Sequence, residues 1–176
     1  MSNRFLKRKG FTLIELLIAM MVGGIVVAGA AAAMNELFKV SNSTSDDMAA
    51  FTHVQNAGFW ISHDTVMAQQ VDTGDDVGTP DVIEFLELEW VDWENDVHRA
   101  VYTLEGTGEL KQLVRTYSFQ VDGVDQPDQT IIIARYIDPD ESACSWDGTV
   151  LTLEITSKVG ASTATRTYHV KTRPLS

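Results

Sequence analysis

The chain has 176 residues and a mass of 19.4 kDa, which fits one domain of ordinary size with an anchor or tail and excludes a large multidomain enzyme. Its formal charge is −12, and without the first ten residues, which hold four of the 13 basic residues and no acid, the remainder carries −16. A body that acidic is repelled by phosphate backbones and anionic lipid, so nucleic-acid binding loses its electrostatic drive, while the single cysteine, Cys144, excludes an internal disulfide and a thiolate metal site.

Arg4, Lys7, Arg8 and Lys9 precede a run of 24 residues, Phe11 to Met34, whose only charge is Glu15. As a helix this run is about 36 Å long, enough to cross a hydrocarbon core with some tilt. The basic flank keeps the N-terminus cytoplasmic and predicts export of everything downstream. The run is longer than the hydrophobic region of a secretory signal, about 7–15 residues, although the alanine-rich stretch Ala28 and Ala30 to Ala33 leaves a cut there open. A plain anchor fits the length and leaves Glu15 unexplained, because an unpaired carboxylate one turn into a membrane helix costs on the order of 2.5–3.5 kcal/mol. Cleavage between Gly10 and Phe11 creates a cationic α-amine at Phe11, four positions before Glu15. Such an amine can pair with a carboxylate of its own or of a neighbouring subunit.

The sequence Lys9-Gly10-Phe11-Thr12-Leu13-Ile14-Glu15-Leu16-Leu17-Ile18 resembles the prepilin cleavage and methylation motif of type IV pilins and of the pseudopilins of type II secretion. The resemblance covers about the first 30 residues and is most specific in its Gly-Phe-Thr-Leu-Ile-Glu core. It implies that prepilin peptidase cuts after Gly10 and that the amine of Phe11 is methylated. It implies too that Glu15, fifth in the mature chain, pairs with a neighbouring subunit's N-terminus during assembly. The leader is then residues 1–10, and the helix of residues 11–34 serves first as a transmembrane anchor and then as packing surface in a filament. Ala19 with Gly23, and Gly24 with Ala28 and Ala32, fall at a spacing of four that permits close helix approach, a pattern equally common in any membrane span. No proline precedes Pro80, so any kink depends on Gly23, Gly24 or Gly29.

From Asn35 to Val71 the pattern predicts an amphipathic continuation of the helix, with Met48, Phe51, Val54, Gly58, Ile61, Thr65 and Ala68 on one face. Phe51, Trp60 and Ile61 are expected to pack against a sheet. The polar stretch Ser41 to Asp47 is a break, a hinge or a solvated segment just outside the membrane. Residues 72–80 read as a linker or turn that opens the β-rich exported domain of residues 72–176, with strands expected at 82–91, 97–104, 110–120, 130–137, 149–157 and 163–171. Leu151, Leu153 and Ile155 alternate with Thr152, Glu154 and Thr156, the mark of a half-buried antiparallel strand. The expected architecture is α+β, a long N-terminal helix packed on an antiparallel sheet as in pilins. In layout and length it most resembles minor pilins of the PilW type and the J-type pseudopilin.

A search for chemistry yields little. His53 and His63 lie about 80° apart around a helix and make a poor metal pair, while His98 and His169 alternate within strands and read as surface or rim residues. The acidic groups Asp72, Asp75 and Asp76, or Asp138, Asp140 and Glu141, offer oxygen ligands for Ca²⁺ without EF-hand spacing, and a solvated acidic loop is the better reading. Trp90 and Trp93, among Glu89, Asp92 and Glu94, suit a sugar or protein contact, or a core position and a strand end. Cys144 beside Trp146 reads as a buried or loop thiol. No nucleophile elbow, phosphate-binding glycine loop or HExxH sequence occurs, so the chain is expected not to be an enzyme and to need no cofactor or metal. The expected role is a minor pilin or pseudopilin in the cytoplasmic membrane and then in a periplasmic or extracellular filament. The resemblance implies prepilin peptidase, sister subunits and an inner-membrane assembly platform as partners. A membrane-anchored adhesin or receptor that never polymerises is the alternative.

Overall fold

The computed structural model describes residues 12–74 and 82–173. Helix α1 (Leu13–Met67) is followed by strands β1 (Gln70–Asp72), β2 (Val82–Val91), β3 (Val97–Glu105), β4 (Lys111–Val121), β5 (Val124–Asp125), β6 (Gln129–Ile137), β7 (Ala143–Trp146), β8 (Val150–Val159) and β9 (Ser162–Lys171). The protein is α+β, one long helix packed on a curled antiparallel sheet. The chain divides into two units, Met1–Asn42 and Ser43–Ser176, and the second contains the sheet together with the last part of α1.

The described part of the first unit is helical from Leu13 onward, and its apolar side chains, among them Leu13, Met20, Ile25 and Val27, all face solvent. Thr12 starts the helix: its carbonyl accepts the Glu15 and Leu16 amides, and its hydroxyl accepts the Glu15 amide at 3.3 Å. That is the threonine half of a Thr-x-x-Glu capping box. Ser41 to Asp47 are helical, so the polar stretch does not break the hydrogen-bond ladder.

The sheet of the second unit runs β1-β2-β3-β4-β6-β8-β7, with β5 paired to β4 and β9 paired to β8, every pair antiparallel. β6 meets β8 only at Ile137 and Ser157, and β7 continues along the same side of β8. The six expected strands are present within a few residues of their expected ends. β1, β5 and β7 are additional, each too short to show a period of two. α1 ends at Met67 rather than Val71, because Gln69 leaves the helix to join the sheet. Its amide donates to the Glu89 carbonyl at 2.9 Å, and its side chain bonds both the amide and the carbonyl of Val91 at 3.2 Å. The turn between β8 and β9 places Gly160 at φ +58°, the left-handed region where glycine carries no steric penalty.

Within this unit α1 buries Ala50, Val54, Ala57, Gly58, Ile61, Asp64 and Thr65. Val54, Ala57 and Ile61 pack with Leu86, Leu88, Ala100, Tyr102, Leu104, Leu113, Ile137, Leu151, Leu153 and Ile155 in one apolar core. The Tyr168 ring of β9 lies directly on the helix at Gly58, where any Cβ would overlap it, and its hydroxyl donates to the Val54 carbonyl at 3.2 Å. Val54, Gly58, Ile61, Thr65 and Ala68 of the expected face are buried, but the face does not extend back to its first two members. Met48 is 67% exposed, and Phe51 is 40% exposed with the Arg166 guanidinium 4.6 Å above its ring, so neither belongs to the core. Trp60 is half-buried at the core margin.

The helix meets the sheet through a charge as well as through apolar contact. Asp64 is fully buried, and its Oδ2 accepts the Tyr102 hydroxyl at 2.6 Å and the Arg115 Nε–H at 2.7 Å, while Oδ1 lies 3.2 Å from His63 Nδ1. The Arg115 guanidinium is stacked between Trp60, at 5.1 Å, and Tyr117, at 4.8 Å. Burial, then the charge and hydrogen bond of Asp64, push the Tyr102 hydroxyl far above its ordinary value, so it remains a neutral donor. Replacing Asp64 by alanine leaves Arg115 without its counter-charge and is expected to cost about 3–5 kcal/mol in denaturant unfolding of the detergent-solubilised chain. Phe51→Ala is expected to cost less than about 1 kcal/mol. Equal losses at the two positions would contradict the packing described.

Candidate functional site

The N-terminal segment carries the sequence features most specific to a function. Gly10 and Phe11, the expected cleavage and methylation positions, lie outside the described residues. Glu15 sits in the first turn of α1, three residues after the capping Thr12. A carboxylate there is favoured by the partial positive charge of the helix N-terminus. The apolar side chains of Leu13, Ile14, Leu16, Leu17 and Ile18 beside it are at least half exposed. Around Gly23, Gly24 and Gly29 nothing approaches within 4 Å of where a Cβ would stand, so the helix surface there is open to close contact. The helix passes the length and composition requirements for a membrane span, and this apolar surface supports membrane anchoring.

The acidic loops are organised by internal bonds. Asp138 and Glu141 hold Lys158 at 2.5 and 3.1 Å, and Asp138 Oδ1 accepts the amides of Asp140 and Glu141. The Lys158 hydrogen bond leads the causes that hold the Asp138 carboxyl below the ordinary range. Asp72 is exposed on β1, and Asp75 and Asp76 lie outside the described residues. Asp92, Glu94 and Asp96, which the sequence reading did not group, bring carboxylate oxygens within 4.8 Å of one another. Their oxygens shape the turn between β2 and β3: Asp92 Oδ1 accepts the Glu94 and Asp96 amides at 2.9 and 3.0 Å, and Asp96 Oδ1 accepts the Asp122 amide at 3.0 Å.

His98 is not a rim residue. Its ring is stacked between Trp90, 5.4 Å away, and Phe119, 6.0 Å away; Nδ1 lies 2.6 Å from the Tyr117 hydroxyl and Nε2 3.2 Å from Asp92 Oδ2. The line Asp92–His98–Tyr117 has the connectivity of a proton relay. Burial pushes the Tyr117 hydroxyl up, and the stacked rings tie β2, β3 and β4 together. Trp90 is in the core, Trp93 is 90% exposed at the turn, and His169 is exposed on β9. The Cys144 thiol is half-buried on β7, and burial pushes it up to about 12, so it is an unreactive packing group. His63 contacts Asp64.

His53 accepts the Arg135 amide on Nδ1 at 3.3 Å and stands edge-on to the Tyr136 ring. Burial, then the charge of Arg135, lowers its pKa below the ordinary imidazole value. The neutral form is the acceptor, so stability from this contact is fully present above about pH 6.5 and is lost as the pH falls through the lower folded-state value. The melting temperature of the solubilised chain should therefore fall on acidification below about pH 6.5, and a His53→Gln variant should show a shallower fall. An identical pH profile for the two chains would contradict the contact.

Residues 6–31 match the family described as the prokaryotic N-terminal methylation motif. No curated protein and no solved structure matches the chain. Proteins with this motif are processed by prepilin peptidase and assemble with other pilins. By that match and by the apolar helix that contains most of it, the chain carries the prepilin-type N-terminal motif of the type IV pilin and pseudopilin family.

Proposed function

We propose that the chain is a structural subunit, a minor pilin or pseudopilin, that enters the cytoplasmic membrane by the first part of α1. It is cut between Gly10 and Phe11, methylated on the new Phe11 amine, and drawn into a type IV pilus or a type II secretion pseudopilus. The observation that carries this reading is the overlap of the methylation motif, residues 6–31, with a helix whose apolar side chains from Leu13 to Val27 are exposed among the described residues. Such a surface must be covered by lipid or by other helices, and a filament of sister subunits exchanges the one for the other.

Glu15 supplies the directional element. In low dielectric its carboxylate and the Phe11 amine of a neighbouring subunit satisfy each other, whereas either alone carries a penalty of several kcal/mol. The prepilin peptidase, the sister subunits and the inner-membrane platform are the partners this role requires.

Glu15→Gln keeps the size of the side chain and removes its charge, so membrane insertion and cleavage should be spared while the amount in sheared surface or periplasmic filaments drops at least about tenfold at equal expression. Gly10→Val should leave the leader uncut and the chain wholly in the membrane fraction. If wild type and both variants appear equally in the filament fraction, the motif has no assembly role. If wild type never leaves the membrane, the anchored adhesin or receptor is the better reading.

A further inference from the structure

The folded unit has edges of opposite charge. No lysine or arginine occurs between Lys39 and Arg99, so β1 and β2 carry only acids: Asp72, Glu84, Glu87 and Glu89. Gln70, Val71, Asp72, Glu87 and Glu89 line a groove of about 390 Å³ on this edge. Glu87 holds Arg99 at 2.5 Å, and the charges of Glu84 and Glu89 also act on that guanidinium, so the one cation among the described residues here is shared by three acids and Asp72 has none. At the other end of the strand order, no aspartate or glutamate follows Glu154, while Lys158, Arg166, Lys171 and Arg173 do. Lys158 is held by Asp138 and Glu141, but Arg166, Lys171 and Arg173 have no carboxylate partner among the described residues. In a chain of net charge −12, that segregation leaves cations together on one strand and its tail.

Both surfaces are also unpaired strand edges. β9 is bonded to β8 in unbroken register from Ser162 to Lys171, and among the described residues no strand pairs with its other side. β1 is bonded only to β2. A ten-residue edge without proline or bulge invites strand addition. Arg166 and Lys171 repel a like-charged strand and select an acidic one. Beside β9, the groove lined by Phe59, His63, Arg166 and Tyr168 has a volume of about 690 Å³, with Phe59 65% exposed within it.

We propose that the basic β9 edge of one copy docks along the acidic β1–β2 edge of a second copy. The chain supplies both complementary surfaces, so each copy offers one and accepts the other. Because the two patches are different, the contact is head to tail and open-ended, the kind that propagates along an assembly and does not close into a pair. Asp72 and Glu89, which share one face, meet Lys171 and Arg173 of the next copy, Arg166 lies on the other face of β9 over Phe51, and the Gln70–Asp72 backbone meets that of β9. The inference rests on the reading of the chain as a filament subunit and adds a contact between folded units to the one made by the helices.

The test uses the full-length chain in membranes of cells that assemble it, with Cys144 replaced by alanine and cysteines introduced at the exposed positions Gln70 and Thr167. Oxidation should give a ladder of disulfide-linked multimers from Q70C/T167C and none from either single cysteine. K171E/R173E should reduce the ladder about tenfold, and adding D72K/E89K should restore it to within about threefold. D72K/E89K alone provides the same disruption if the first reversal lowers the level of folded chain. Raising the salt concentration should also weaken the ladder. Dimers from a single-cysteine chain, a ladder indifferent to both charge reversals, or no ladder would overturn the proposal. Wild-type chain in sheared filaments without a ladder refutes this contact alone, whereas a charge-dependent ladder with no chain in filaments refutes the filament reading and leaves the contact standing.

Discussion

The buried carboxylate of Asp64 fixes how the helix sits on the sheet within the folded unit. An apolar stripe alone is non-directional and leaves a helix free to slide or rotate by a fraction of a turn. Asp64 removes that freedom, because its oxygens must meet Tyr102 of β3 and Arg115 of β4 at hydrogen-bond distance or remain desolvated without partners. From that point the rest of the helix is placed: Trp60 lies one turn back over the Arg115 guanidinium, Gly58 receives Tyr168, and His53 reaches the Arg135 amide. Ahead of it, Gln69 can close on Glu89 and Val91 only because the helix ends at Met67. Among the described residues every buried polar side-chain atom finds a partner.

The longer strands were legible because each repeats with a period of two and is bounded by glycine or acidic turns. Leu151, Leu153 and Ile155 are all fully buried in the expected alternation. The helix was legible, and so was its buried face from Val54 to Ala68, but not where that face begins. The apolar stripe drawn through Met48 and Phe51 has the right spacing, yet small residues, Ala50 and Ala57, take the buried positions because the helix approaches the sheet closely there. Asp64 and Arg115 each break the apolar pattern of their own element. Read together, two opposite charges in two apolar registers are the one signal that would have pointed to the buried pair, but only the fold brings residues so far apart in sequence into contact. His98 was misread because its burial depends on cross-strand register, which sets it against Trp90 on one side and Phe119 on the other. β1 and β7 carry too few residues for any periodic signal.

The N-terminal motif was legible because it is a local run of residue types and not a product of tertiary packing. Thr12 and Glu15 stand at the spacing of a capping box, of which the structure shows the threonine half. The two units thus obey different constraints. The sheet unit pairs its buried carboxylates internally, Asp64 with Arg115 and Asp138 with Lys158. The described part of the first unit exposes the apolar side chains from Leu13 to Val27 beside the Glu15 carboxylate. That contrast is the physical basis for reading the helix as an element that exchanges lipid for protein.

The most direct measurement is the intact mass and N-terminal peptide of the chain recovered from sheared filaments. The account predicts a chain that begins at Phe11 with a methylated α-amine. A chain that retains Met1, or one cut within Ala28 to Ala33, would contradict it.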